Sequence, residues 1–116
     1  MKMHELSIAL SIVEIALESA EKNGGGRVET LYLKLGKLSG VVKDALLFSW
    51  ELACADTLLE GSRLVIEEVP VAVHCRVCKA DSELDSISNF SCPFCKAPAP
   101  EIVRGRELEL TALEII

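Results

Sequence analysis

Five cysteines and two histidines carry the most pointed chemistry in this chain of 116 residues. Four of the cysteines fall into two knuckles, Cys75-Arg76-Val77-Cys78 and, thirteen residues later, Cys92-Pro93-Phe94-Cys95. Two residues between cysteines make a tight turn that aims both thiolates at one centre, and two such turns complete a tetrahedral sulfur shell. Pro93 stiffens the second turn. The spacing predicts one structural zinc ion on Cys75, Cys78, Cys92 and Cys95, closed to water and substrate because all four positions are filled. An all-thiolate tetrahedron also accommodates iron, and a single CxxC is compatible with redox chemistry.

The fifth cysteine, Cys54, lies in an apolar stretch and reads as core packing. His74 stands directly before Cys75, where it could replace a thiolate, respond to pH, or simply support the ligand beside it. His4 stands near the start of the sequence beside Glu5. An imidazole and the backbone nitrogens before it can enclose an ion in one plane, a square of nitrogens suited to Ni(II) or Cu(II).

These residues need elements to position them. Apolar residues at helical spacing (Leu6, Ala9, Leu10, Val13, Ala16, Leu17, Ala20, widened by Ile8, Ile12 and Ile15) predict a helix over 6–21, ended by Asn23-Gly24-Gly25-Gly26. Alternation predicts a strand over 28–38, with Leu31, Leu33 and Leu35 on one face. A second helix is expected over 42–59 and a second strand over 63–73, with Pro70 marking an edge or bulge. Residues 74–100 hold four cysteines and three of the four prolines but few large hydrophobes, among them Val77, Ile87, Phe90 and Phe94. Such a segment buries too little apolar surface to offset its ordering entropy, so it needs a metal. Alternation returns over 107–116. The expected fold is α/β (α+β): two helices packed on one face of a three-stranded sheet, with a zinc-ribbon-like module inserted before the last strand.

Composition narrows the function. Half of the residues are hydrophobic but only 4% are aromatic, so the core must be aliphatic. Twelve basic against 18 acidic residues leave a net charge of −6, which opposes attraction to a phosphate backbone. A zinc-ribbon adaptor or nucleic-acid module is the alternative that the cysteines alone leave open. Arg76, Lys79 and Lys96 in the module are offset by Asp81, Glu83, Asp85 and Glu101. No catalytic triad or phosphate loop is visible, which argues against an enzyme. No stretch approaches the roughly 20 apolar residues of a membrane span, and no export signal is evident, so a cytoplasmic location with reduced cysteines is expected.

The stretch Met3-His4-Glu5-Leu6-Ser7-Ile8-Ala9, followed by the double CxxC beyond Glu67-Glu68-Val69-Pro70, resembles the hydrogenase maturation factor HypA family. Leu35-Gly36-Lys37-Leu38-Ser39-Gly40-Val41, Glu60-Gly61-Ser62-Arg63-Leu64 and Gly105-Arg106-Glu107-Leu108-Glu109-Leu110 agree with it, in order, over nearly the whole chain. The resemblance implies a nickel metallochaperone with a nickel-binding domain (residues 1–73 plus 101–116) and a zinc-binding domain (residues 74–100). It implies Ni(II) as exchangeable cargo for [NiFe]-hydrogenase, and in some organisms for urease. It further implies as partners a hydrogenase maturation GTPase, the hydrogenase large subunit and urease maturation proteins. The family's Met-His-Glu nickel motif falls on Met3, His4 and Glu5: the imidazole of His4, backbone nitrogens of His4 and Glu5, and a nitrogen of Met3. The family normally begins at that methionine, whereas Met1 and Lys2 precede it here. Either Met3 is the true start, or the site uses the amide of Met3, which must lose a proton to bind nickel and so makes affinity more pH-dependent.

Overall fold

The computed structural model describes residues 3–85 and 90–116. Met1 and Lys2, and Ile87 of the cysteine segment, lie outside the described residues. The element order is α1 (Met3–Lys22), β1 (Val28–Gly36), α2 (Lys43–Cys54), β2 (Arg63–Val69), β3 (Ala72–Cys75), β4 (Ala80–Glu83), β5 (Glu101–Arg104) and β6 (Leu108–Ile115). They form two three-stranded sheets, ordered β2-β1-β6 and β4-β3-β5. The chain divides into two compact units: one comprises the chain up to Leu33 with Val41–Glu67 and Glu109–Ile116, the other Lys34–Gly40 with Glu68–Leu108. The class is α+β, with two helices, a three-stranded sheet and the cysteine segment inserted before the last strand.

In the first unit α1 buries Ala9, Ile12, Val13, Ala16 and Ala20 along one stripe. Three of these five are alanines, which lets α1 approach its neighbours closely. They pack with Leu46, Trp50, Ala53 and Cys54 of α2 and with Val28, Leu31 and Leu33 of β1. The expected apolar face was wider than this stripe. Leu10 is 50% and Ile15 52% exposed, because each projects at the margin of the face that meets the core. Cys54 is buried among these aliphatic side chains, as its surroundings predict.

α2 is shorter than the expected 42–59 and stops at Cys54. Ala55 leaves the helix at ψ 132, Asp56 follows at φ +63, and the Thr57 hydroxyl donates to the Cys54 carbonyl at 2.6 Å. Thr57 thus competes with the helix for its last carbonyl, while the Asp56 N–H donates to Glu60 Oε2 at 2.8 Å. Beyond the turn, the Ser62 hydroxyl donates to Val28 O at 2.5 Å and Trp50 Nε1 donates to Ser62 O at 3.0 Å. One buried serine therefore joins the exit from α2 to β1.

The predicted strand over 63–73 is two strands. Proline cannot donate to a ladder, and β2 ends at Val69, immediately before Pro70. β3 then starts at Ala72 in the other sheet, pairing antiparallel with β4 (Cys75↔Ala80) and with β5 (Val73↔Ile102). That second sheet was not expected. β4 reads Ala-Asp-Ser-Glu and offers no hydrophobic alternation to betray it.

In the second unit Gly36 and Gly105 meet backbone to backbone. Leu38 N–H donates to Gly105 O at 2.6 Å and Gly36 N–H to Glu107 O at 2.7 Å. A Cβ on Gly36 would lie 2.1 Å from Gly105 O, and Gly105 itself sits at φ +119. Because the obstacle is backbone, no side-chain rotation relieves it. Gly36→Ala is expected to destabilise the protein by about 3 kcal/mol, measured by denaturant unfolding of the metal-loaded chain. A loss below about 0.5 kcal/mol would show that the loop yields.

Candidate metal centre

The first knuckle lies where β3 turns into β4. Cys75 is the last residue of β3 and is buried, whereas Cys78 is exposed in the turn. The Cys78 N–H points to Cys75 Sγ at 3.4 Å. The second knuckle is closed by its own backbone: Lys96 N–H donates to Cys92 O and Cys92 N–H to Ala97 O, both at 2.9 Å. The two turns share a further feature that residue types did not reveal. The residue after each second cysteine, Lys79 at φ +56 and Lys96 at φ +66, is left-handed and swings the chain away from the sulfurs.

The turns bring four sulfurs together. Cys75 Sγ lies 3.5 Å from Cys95 Sγ, Cys78 Sγ lies 3.9 Å from Cys92 Sγ, and all four are within 4.8 Å of one another. A disulfide would need about 2.05 Å. A tetrahedral ion with Zn–S of about 2.3 Å would separate the sulfurs by roughly 3.8 Å. The cluster has the spread a single soft divalent ion requires, and each knuckle contributes one buried and one exposed thiol.

Its electrostatics are unequal. N–H groups of Cys95 and Phe94 aimed at the Cys92 sulfur favour its thiolate and lower that thiol to about 6. Hydrogen bonding of the Cys78 thiol with the sulfurs of Cys95 and Cys92 favours its protonated form and pushes Cys78 up to about 12. Cys54, in the first unit's core, is raised to about 11 by burial and is not one of the four clustered sulfurs.

His74 does not join the sulfurs. Its Nδ1 lies 2.7 Å from Asp81 Oδ1, its direct partner across β3–β4, and both side chains are partly exposed. The Asp81 partnership was invisible in the sequence because β4 itself was.

The Met-His-Glu motif opens α1, in the other unit. The first N–H groups of a helix have no intrahelical acceptor, so helix formation does not consume the backbone nitrogens of this turn. His4 is exposed whereas Glu5 is fully buried. Glu5 Oε2 faces the Val42 N–H at 3.4 Å at the start of α2, and Oε1 meets no donor among the described residues. The two side chains point into different environments. An ion in solvent on the His4 imidazole is not shared with the Glu5 carboxylate, so Glu5 can reach such an ion only through its backbone. Sequence reasoning gave Glu5 no inward partner.

Residues 3–115 match a family model described as "Hydrogenase/urease nickel incorporation, metallochaperone, hypA". The chain belongs to this family. A hydrogenase maturation factor HypA from Roseiflexus sp. (strain RS-1) is 55% identical over 112 residues, covering 97% of this chain and 91% of its own length. One from Streptomyces avermitilis is 38% identical, covering 96% and 86%. A solution structure of the Ni metallochaperone HypA from Helicobacter pylori superposes with a TM-score of 0.65 at 22% identity, covering 97% of each chain. A second solution structure of a HypA protein gives 0.73 at 23%, covering 100% and 98%. At that identity the two structures speak for the fold. No helix among the described residues is long and apolar enough to cross a membrane.

The inequality of the thiols has a measurable sign. A thiol lowered on folding favours the folded state fully above its unfolded value near 9, and that contribution fades as pH falls through about 6. Cys78, raised to about 12, does the reverse: its contribution is whole below about 9 and is lost as pH rises through 12. If the ion is what holds the knuckles, removing it abolishes this geometry, so the thiols of reduced, metal-free protein are expected to ionise together near their ordinary value in ultraviolet thiolate absorbance. A separate thiolate forming around pH 6 would show that the knuckles stay folded without an ion.

Proposed function

We propose that this protein is a nickel metallochaperone that carries Ni(II) on Met3, His4 and Glu5 and delivers it during maturation of [NiFe]-hydrogenase, and of urease where that enzyme is served. The observation that carries the reading is the family match beginning at Met3, the first residue of the motif. The geometry supports it. The His4 imidazole is exposed on the first turn of α1, next to backbone nitrogens that the helix leaves without internal acceptors. A carrier must release its ion, and a few nitrogen donors at an accessible helix start suit release better than a closed cage. The Glu5 side chain stays inside, and only its backbone nitrogen belongs to the set.

Zinc on Cys75, Cys78, Cys92 and Cys95 is the structural partner of this exchangeable site. Four thiolates leave no open coordination position, so zinc here staples the β3–β4 turn to the second knuckle and performs no chemistry on a substrate. Thiolates for zinc and nitrogens for nickel help keep the two metals apart. The protein acts with a maturation GTPase, the hydrogenase large subunit and urease maturation proteins in the cytoplasm. It is a carrier without catalysis of its own, and its net charge of −6 disfavours nucleic acid.

Titration of zinc-loaded protein with Ni(II), followed by visible absorption, is expected to give one nickel per chain with a square-planar spectrum, lost in His4→Ala. Specific binding unchanged in His4→Ala would remove His4 from the mechanism. Stripping zinc with a chelator is expected to abolish amide protection across β3, β4 and β5. A structural zinc contributes about 10 kcal/mol or more to a domain this small, whereas the α1–α2 core keeps its own aliphatic packing. Protection in β3–β5 that survives chelation would show that zinc is not the staple.

A further inference from the structure

β6 is an edge strand. It pairs with β1 on one side and has no strand on the other among the described residues. Near its end the pairing is antiparallel, with Arg27 and Ile116 exchanging both backbone hydrogen bonds at 3.2 and 2.9 Å. An antiparallel edge strand directs about half of its N–H and C=O groups away from its partner. Proteins commonly blunt such an edge with proline, lysine or a bulge. Residues 108–115 contain no proline, lysine or glycine.

A groove of about 620 Å³ lies against this part of the strand, within the first unit. One wall is α1 and the turn after it, through Ile15, Ser19 and Asn23. The other is the consecutive run from Leu110 to Leu113 together with Ile115. Consecutive strand residues alternate between faces, so a groove lined by an unbroken run follows the backbone edge, not one face of the sheet. Ile15 was expected in the core and is instead half exposed here, giving the groove an apolar anchor point.

We infer that the free edge of β6, with the α1 wall beside it, is a docking site for an extended, basic segment of a partner protein, which adds as a fourth strand. Main-chain hydrogen bonds to β6 would supply the pairing, and alternate side chains of the segment would meet Ile15. Charge selects the partner. Glu14 and Glu18 flank Ile15 and Ser19 on α1, and β6 carries Glu109 and Glu114, all exposed. The nearest cation of α1 in sequence is Lys22, at its far end. A second copy of the chain is the poorer occupant. Each copy would bring its own Glu109 and Glu114 to an edge that already carries both, with no lysine or arginine in Leu108–Ile115 to offset them, and like charges on neighbouring strands are destabilising. This inference stands independently of where nickel binds.

The test uses the zinc-loaded full chain and a synthetic peptide of about ten residues alternating lysine and valine. Amide exchange should slow by roughly tenfold or more at alternate β6 residues on adding the peptide, with α2 amides unchanged. A glutamate–valine peptide should bind about tenfold more weakly, as should a lysine–valine peptide N-methylated at alternate amides. Ile15→Lys, at a position already exposed, should weaken the lysine–valine peptide similarly. The inference is overturned if β6 gains no protection at millimolar peptide, or if N-methylation leaves binding unchanged. It is also overturned if β6 protection rises with protein concentration alone, which would assign the edge to a second copy.

Discussion

The sulfurs of Cys75, Cys78, Cys92 and Cys95 lie within 4.8 Å of one another, and the second unit is arranged around that proximity. Its apolar interior is small: Val71, Ala72 and Val73 are fully buried, but Val77 and Phe94, which the knuckles also carry, are 71% and 79% exposed. Hydrophobic burial of this extent is weak against the cost of ordering roughly fifty residues. The sulfurs therefore have to act as a cross-link, and four of them cannot all ionise so close together without a cation. The unequal thiols express this conflict, Cys92 settling into its thiolate under the N–H groups of Cys95 and Phe94 while Cys78 holds its proton. A soft divalent ion removes the conflict and ties β3 to a distant turn in one step.

That constraint explains details elsewhere in the unit. β3 must end at Cys75 so that the turn can begin with a ligand, and Lys79 and Lys96 take left-handed conformations because the chain has to leave each pair of sulfurs sharply. β3 also has to start in a new sheet, and Pro70, unable to donate a hydrogen bond, ends β2 at the residue before it. Gly36 and Gly105 then allow the loop 34–40 to lie against the segment before β6 at a separation no side chain permits.

Much of this was legible in the sequence, for reasons that differ by element. α1 and β1 announce themselves because one face of each is buried, so periodicity records their geometry. The cysteine cluster was legible because knuckle spacing is a chemical requirement. β4 was not: Ala80–Glu83 lies on the surface of its sheet, and its pairing depends on backbone bonds to β3 that leave no trace in hydrophobicity. The early end of α2 was hidden because Asp56 and Thr57 act through hydrogen bonds, while the apolar pattern of Leu58 and Leu59 continues past them. Leu58 proves 79% exposed and Leu59 fully buried, so one side of that apparent face was never there. The inward turn of Glu5 was illegible for a related reason, since its partner is a backbone N–H of Val42, 37 residues away.

Glu5 shows how the cysteine cluster and the proposed nickel site differ in physics. At the cysteines, order comes from the ligands themselves: remove the ion and little else holds the turns. At the start of α1, order comes from the protein. The helix is anchored by the aliphatic stripe from Ala9 to Ala20, and its first turn is fixed by a buried carboxylate facing the start of α2, so the position of His4 does not depend on an ion. A site whose scaffold is complete without its metal can gain and lose that metal with little rearrangement, which is what a carrier requires. A site whose scaffold is the metal cannot. On the proposed reading, the same short chain would hold one ion permanently and another transiently, because the folding energy of one region would include the ion and that of the other would not.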